Sequence, residues 1–518
     1  MRTESRGDVR LLHKWQKGLW NLLFSRTFFV LALLLAQFLF LLSFLIWLAD
    51  LLPHVLGSQY LLTFCMVLCL INSRLDPTAK LTWLVAIMVS PVFGSLLYLF
   101  TEKDIGHRAL KKRLLDISVS TASLLPQTSA QRLQDLSPGT ASLAHYVYHQ
   151  GGYPVYTDTQ VEYFSSGQQK LKQLLIELEQ AKSFIYLEYF IIEEGVMWGQ
   201  ILDVLIRKAA QGVDVRVIYD GTCELTLLPK EYPKMLKAHG IRCKVFCPVV
   251  PFVSTHYNYR DHRKILIIDG HTAFNGGINL ADEYIGVRKK FGVWKDSAVM
   301  LKGSAVKSFT LMFLRSWNLN EMTPDYAALE TIPAPIPAAG FVMPYGDQPL
   351  DAERVGQNVY LHLLSRAEKY VYIMTPYLIL DTEMENALIF AAARGVQVKL
   401  ILPGIPDKKV PYALAKTHYQ ALLEGGVSIY EYTPGFVHAK VFLCDGQEAI
   451  VGTINLDYRS LYHHFECGTY INGAPCLQDI YKDFEDTLAN CRQITQNTKQ
   501  PFGLRLLGKL CKLFAPLL

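Results

Sequence analysis

Twice in this chain a histidine is followed by lysine at +2, aspartate at +7, glycine at +14 and asparagine at +17. The first copy is His262, Lys264, Asp269, Gly276 and Asn279; the second is His438, Lys440, Asp445, Gly452 and Asn455. A single H-x-K-x-x-x-x-D is a short polar pattern that chance supplies. Two copies sharing five positions, each with an apolar run between lysine and aspartate, require two units of similar local structure.

The spacing dictates much of that structure. Residues 265–268 and Val441–Cys444 are apolar and largely bulky or β-branched, which reads as buried strand. Residues two apart on a strand share a face, so His262 projects with Lys264 and His438 with Lys440. Asp269 and Asp445 lie an odd number of residues further on and face away. Each precedes a glycine, and Asp-Gly between two strand-like runs signals a hairpin turn, so the spacing reads both aspartates as structural. Asn279 and Asn455 end the return strands after Gly-Gly-Ile and Gly-Thr-Ile, where small residues allow close backbone approach to a ligand.

A histidine, a lysine and an asparagine from each unit suit phosphate chemistry. Lysines and amides hold non-bridging oxygens and the charge that develops on them. Two imidazoles divide the remaining work, one attacking phosphorus and the other protonating the leaving oxygen. With these residues the chain resembles the phospholipase D superfamily, whose signature is this duplicated motif. The wording around the first copy, N-Y-R-D-H-R-K before and G-G-I-N-L-A-D-E-Y after, resembles the bacterial cardiolipin synthases.

Composition alone says little: 518 residues allow two or three domains, and a net charge of +5 selects no partner. The distribution says more. Arg2, Arg6, Arg10, Lys14 and Lys17 recur among Leu11, Leu12, Trp15, Leu19 and Trp20, a basic amphipathic helix suited to an anionic membrane surface. Residues 27–49 carry no charge until Asp50 and are long enough to span a bilayer. Two further apolar segments follow, 55–71 and 81–100, the second long enough to cross despite Pro91 and Gly94. Basic clusters flank the whole region; an even number of crossings satisfies both and leaves the catalytic part cytoplasmic, whereas three crossings would set them on opposite sides, and the sequence leaves the number of crossings open. Ten scattered cysteines suggest buried thiols rather than a disulfide framework.

Internal similarity extends beyond the motif. Residues 181–190 parallel 367–376, and 212–218 parallel 395–401, so each half runs strand, helix (about 197–211 and 383–394), strand, helix, strand, then the His-Lys hairpin. The expected fold is α/β: two similar phospholipase D-like halves, each a mixed sheet flanked by helices, sharing one active site, with an N-terminal transmembrane region. The expected divisions are 1–112 for the basic helix and membrane segments, 113–150 for a connector and 151–322 for the first half. A Pro-rich linker (323–350), the second half (351–500) and a basic amphipathic tail (501–518) follow. The tail sets Arg505, Lys509 and Lys512 against leucines and reads as an interfacial helix.

The resemblance also implies roles. It places Asp269 and Asp445 in the catalytic signature with His262, Lys264, His438 and Lys440, although their spacing reads as turns. It implies phosphate binding by Lys264, Asn279, Lys440 and Asn455, and orientation of the histidines by Asp296 and Glu466. Glu188 and Tyr377, at matching strand ends, are candidates to touch a glycerol headgroup. The family reaction joins two phosphatidylglycerols into cardiolipin and glycerol at a membrane, with His262 as nucleophile and His438 as acid and base. No metal, nucleotide or nucleic acid is expected: the sequence has no P-loop and no ligand cluster with metal spacing. A phosphatidylserine synthase, a hydrolytic phospholipase D and a non-catalytic scaffold for anionic lipid are the alternatives.

Overall fold

The two hairpins explain why the motif recurs. In the first, Asp269 and Gly270 both take positive φ, 51° and 70°; in the second, Asp445 and Gly446 take 51° and 67°. Two successive positive-φ residues make the tight turn whose twist matches paired strands. The Asp269 carboxylate accepts from the backbone N–H groups of Lys182, Ser183 and Phe184 at 2.7–2.8 Å. Asp445 accepts in the same way from Glu368, Lys369 and Tyr370. Each aspartate thus ties the hairpin to the start of the neighbouring strand. Both carboxylates of the expected catalytic set are thus committed to backbone amides at the turn.

The computed structural model of the chain describes residues 9–12, 35, 36, 38–40, 42–44, 46, 47, 59–73, 75–102, 108–126, 136–249, 259–331, 336–351, 353–498 and 500–515. Its strands in the first half are β1 (Thr159–Phe164), β2 (Phe184–Tyr189), β3 (Asp214–Asp220), β4 (Arg242–Phe246), β5 (Arg260–Asp261), β6 (Lys264–Ile268), β7 (Thr272–Gly276), β8 (Val293–Lys295) and β9 (Ala298–Gly303). Those of the second half are β10 (Phe341–Asp347), β11 (Tyr370–Met374), β12 (Gln397–Pro403), β13 (Ser428–Tyr432), β14 (Gly435–Val437), β15 (Val441–Cys444), β16 (Glu448–Gly452), β17 (His464–Asn472) and β18 (Cys491–Ile494). The first sheet runs β1-β9-β7-β6-β2-β3-β4; the second runs β10-β17-β16-β15-β11-β12-β13-β18, the same order of equivalents plus one strand. In each, three parallel strands adjoin an antiparallel hairpin, so the sheets are mixed.

Alternation along β6 divides the core. Ile265 and Ile267 join the cluster that fills the space between the halves, while Leu266 and Ile268 pack outward with Trp198 and Leu202 of the helix Val196–Ala210. Both faces are covered, which is why the run is continuously apolar. The expected helices match Val196–Ala210 and Thr382–Ala393 to within a residue.

Two short strands cross between halves. β5 of the first half pairs in parallel with β17 of the second, and β8 of the first with β14 of the second. Each crossing lies immediately beside a catalytic-motif histidine.

Several expectations change. The connector 113–150 includes part of the helix Arg108–Ser120 and the helix Pro138–Tyr146, whose Leu114, Ile117, Leu143 and Ala144 reach the core. The linker 323–350 already contains strand β10; its Pro344 is tolerated because β10 is the last strand of the sheet and, beyond β17, meets only an isolated bridge from Tyr156 to Val342. Residues 332–335 of that linker lie outside the described residues.

The basic helix at the N-terminus lies outside them too, apart from residues 9–12, as does much of 27–49 and the start of 55–71. The segment 81–100 is not one helix: Pro77–Val89 and Pro91–Glu102 are separate, broken at Ser90 because a residue before proline is disfavoured from helical backbone. The two pack closely, since a Cβ at Gly94 would lie 2.4 Å from the Ala86 carbonyl oxygen. Among the described residues no helix is long and apolar enough to cross a membrane. Tyr60, Phe64, Met88 and Val89 nonetheless expose apolar side chains.

The tail forms the helix Phe502–Lys512 and lies along the helix Lys409–Glu424, with Gly508 against the Ala413 carbonyl. It is therefore a packed element as well as a basic one. Phe502, Leu506, Leu510 and Phe514 remain exposed on it.

Candidate active site

The crossed strands determine which carboxylate meets which histidine. β5 leads into His262, whose backbone N–H donates to the Phe465 carbonyl at 2.9 Å, next to Glu466. His262 Nδ1 then lies 2.8 Å and 3.0 Å from the two Glu466 oxygens. On the other side, the His438 N–H donates to the Lys295 carbonyl at 2.6 Å, and His438 Nδ1 lies 2.7 Å from Asp296 Oδ2. Each histidine is oriented by a carboxylate from the opposite half. Asp296 and Glu466 follow the histidines of their own halves by 34 and 28 residues, a spacing that gives no sign of this exchange.

Both carboxylates are fully buried. Burial alone would raise the Glu466 carboxyl, but the adjoining His262 outweighs it and holds the group below the ordinary carboxylate range. Asp296 is held down in the same sense by His438, Lys440 and the Ser297 N–H. Burial pushes His262 well below the usual imidazole range, with Lys264 adding to that and Glu466 opposing it. His438 is pushed down to about 4 by burial and Lys440, against Asp296. An ionised carboxylate at Nδ1 of a neutral imidazole keeps the proton there, leaving the Nε2 lone pair unprotonated.

Lys264 and Lys440 are buried beneath the histidines and donate to the His262 and His438 carbonyls. Burial pushes their ammonium groups down to about 7 and about 8, although Glu466 and Asp296 oppose this.

His262, His438, Asn279 and Asn455 all line one cavity of about 870 Å³, a size suited to a small organic ligand or headgroup. Asn279 is already engaged: its Oδ1 accepts from the Ile191 N–H and its Nδ2 donates to the Tyr284 hydroxyl. Asn455 keeps Oδ1 without a hydrogen-bond partner among the described residues. Tyr377 lines the cavity and donates to Asp407 at 2.6 Å. Glu188 does not; it is buried against Arg263 at 2.8 Å, and that arginine also binds Asp261.

Sequence reasoning missed the rings around the histidines. Tyr284 and Trp294 each stand 5.5 Å from His438, centroid to centroid, while Phe190 and His464 stand 5.0 Å and 5.4 Å from His262. Strand parity offered a signal for two of them, since Trp294 and His464 each precede an orienting carboxylate by two residues. Ile379, Val410 and Leu414 give the cavity an apolar side, and Ala515 of the tail closes it there. The structure also brings ligand atoms of His262, His464 and Glu466 within 4.8 Å of one another, a grouping with no trace in sequence spacing.

Over residues 174–317 and 360–488 the chain matches the family model described as Cardiolipin synthase, PLD-like domain. Residues 61–101 match the model described as Phospholipase_D-nuclease N-terminal. An uncharacterized protein of Streptococcus mutans is 54% identical over 460 residues, covering 87% of this chain and 99% of that protein. A cardiolipin synthase of Geobacillus kaustophilus is 32% identical over 473 residues, covering 90% of this chain and 93% of that protein. Among solved structures, a phosphatidylserine synthase of Haemophilus influenzae superposes with a TM-score of 0.54 at 15% identity, over 69% of this chain and 95% of that one; the likeness is one of fold.

Proposed function

We infer the reaction from one premise: the chain belongs to the PLD-like cardiolipin synthase family of the phospholipase D superfamily. It is a phosphatidyltransferase. The substrate we propose is phosphatidylglycerol in both roles, donor and acceptor, giving cardiolipin and glycerol. The observation that carries this reading is the pair of His–carboxylate units from opposite halves on one cavity that also has an apolar side.

In the proposed sequence, Nε2 of His262 attacks the donor phosphorus while His438 protonates the departing glycerol oxygen. The product of this step is phosphatidyl-His262 and free glycerol. His438, now neutral, takes the proton from a glycerol hydroxyl of the second phosphatidylglycerol as that oxygen attacks phosphorus. The P–N bond breaks, cardiolipin leaves, and both imidazoles return to their starting forms. Burial holds both imidazoles below their usual range, so each rests neutral, as a nucleophile requires. The order is supported by Lys440 beside His438 Nδ1: a bound phosphodiester anion would offset that ammonium and favour the charged, proton-donating form of His438. Lys264, Lys440 and Asn455 are proposed to meet the phosphoryl oxygens once substrate displaces the ammonium groups from the backbone carbonyls.

The chain is proposed to act at the cell membrane through its N-terminal segments, with the catalytic halves on the cytoplasmic face. Support comes from the basic residues before position 27 and after position 100. The deciding experiment gives the purified full chain vesicles of phosphatidylglycerol alone and measures lipid products and glycerol. Cardiolipin with equimolar glycerol is expected; phosphatidic acid as the main product would overturn the synthase reading in favour of hydrolysis.

A further inference from the structure

We propose that His464 is a substrate-contacting residue that donates a hydrogen bond to a non-bridging oxygen of the phosphoryl group attacked by His262. This rests on the phosphoryl-transfer reading above. His464 opens β17, and with Glu466 two residues on, both side chains leave the same face of that strand toward His262. Its ring lies 5.4 Å from that of His262 and 6.4 Å from that of Phe190, and it lines the cavity. Only 9% of the residue is exposed, yet neither Nδ1 nor Nε2 has a hydrogen-bond partner among the described residues. The nearest carboxylate oxygen, of Glu466, is 3.8 Å from Nδ1, outside hydrogen-bond reach, and Glu466 is itself taken by His262 and Thr453.

A buried polar group without a partner destabilises the empty protein, so a residue kept in that state points to a ligand that completes it. The fold does not require an imidazole here. At the equivalent position of the other half, two residues before Asp296, stands Trp294, 5.5 Å from His438. Its Nε1 is likewise buried without a hydrogen-bond partner among the described residues. Each histidine is thus flanked by a ring bearing an unused nitrogen. Attack in line with the leaving oxygen leaves the non-bridging oxygens to the sides of the P–N axis, inside the cavity that His464 lines together with His262. Those oxygens are acceptors only, so they take the imidazole N–H and leave its second nitrogen uninvolved.

The test uses the full chain and the two phosphorothioate diastereomers of phosphatidylglycerol, each with sulfur in place of one non-bridging oxygen. Sulfur accepts a hydrogen bond poorly, so the wild type should turn over one diastereomer faster. His464→Ala should slow the oxygen substrate about 10²-fold, the loss seen when one donor to a developing oxyanion is removed. It should also reduce the diastereomer preference by tenfold or more. His464→Asn, which restores an N–H, should recover part of both, with melting temperatures showing that each variant folds. An unchanged preference, whether or not the overall rate falls, would overturn the contact and leave His464 a structural residue. Phosphatidic acid in place of cardiolipin from the wild type would instead overturn the acceptor reading, while the diastereomer ratio would still report on His464.

Discussion

Glu466→Gln tests the exchange of carboxylates between halves. The substitution keeps the shape of a fully buried side chain and removes only its charge. Thr453 donates its hydroxyl to Glu466 Oε2, so the glutamine carbonyl will face Thr453 and its NH₂ will face His262 Nδ1. That amide requires a lone pair on Nδ1, which moves the imidazole proton to Nε2 and removes the nucleophile. Exchanging the buried carboxylate of a catalytic histidine for its amide costs about 10⁴ in kcat where this has been measured in a serine-protease triad, or about 5 kcal/mol of barrier. The expected defect is in loading. With a donor carrying a nitrophenolate leaving group, which needs no acid, intact-protein mass spectrometry after rapid quench should find little or no phosphatidyl adduct. Asp296→Asn should still load from that donor, because its partner is His438. Normal loading by Glu466→Gln alongside failed loading by Asp296→Asn would refute the assignment of His262 as nucleophile. Near-wild-type turnover in both variants would refute the orienting roles themselves.

Three further outcomes follow from the geometry. His438 is buried with its imidazole pushed from 6.5 down to about 4, so the unfolded chain binds the extra proton first. Stability should therefore rise with pH between about 4 and 6.5, by up to about 3 kcal/mol from this group; His438→Gln should flatten that part of a melting-temperature profile. Asp269→Ala should cost about 2 kcal/mol, because three N–H groups lose a charged acceptor, and should leave turnover per folded molecule unchanged. A loss of turnover without a loss of stability would return Asp269 to the chemistry. Gly508→Val puts a Cβ 2.4 Å from the Ala413 carbonyl, so the tail must lift and carry Ala515 from the cavity wall. Cardiolipin formation on vesicles should fall more than turnover of a short-chain soluble donor, and equal losses would mean that the tail acts only through the fold.

What was legible in the sequence was what neighbouring residues decide. The hairpins follow from Asp-Gly and strand parity, and the duplicated sheets follow from the repeated order of strand and helix. The pairing of His262 with Glu466 and His438 with Asp296 was not legible, because it depends on strands β5 and β8 crossing the interface, and no spacing within one half encodes that. Nor was it legible that Tyr284, five residues on, turns back to accept from the Asn279 amide. Hydropathy hid the break at Ser90, since proline changes backbone direction without making the segment less apolar.

The exchange also bears on how two copies of one motif could do the different work proposed for them. Symmetric halves would give each histidine the same neighbours, and neither role would be preferred. The departures lie in the shells around the rings. Both lysines donate to the carbonyl of their own histidine, and Lys440 Nζ also stands 3.0 Å from His438 Nδ1. His438 is enclosed by Tyr284, Trp294 and Phe436, while His262 has Phe190 on one side and a second imidazole on the other. Under the proposed mechanism, an ammonium beside Nδ1 would make the His438 proton depend on the anion in the cavity, so a bound phosphodiester would arm the acid only when there is a leaving group to protonate. An imidazole beside His262 would instead offer the proposed donor to oxygens on the phosphorus being attacked. The proposed asymmetry thus lies in the placement of one shared lysine and in the rings around each histidine, neither of which the shared motif specifies.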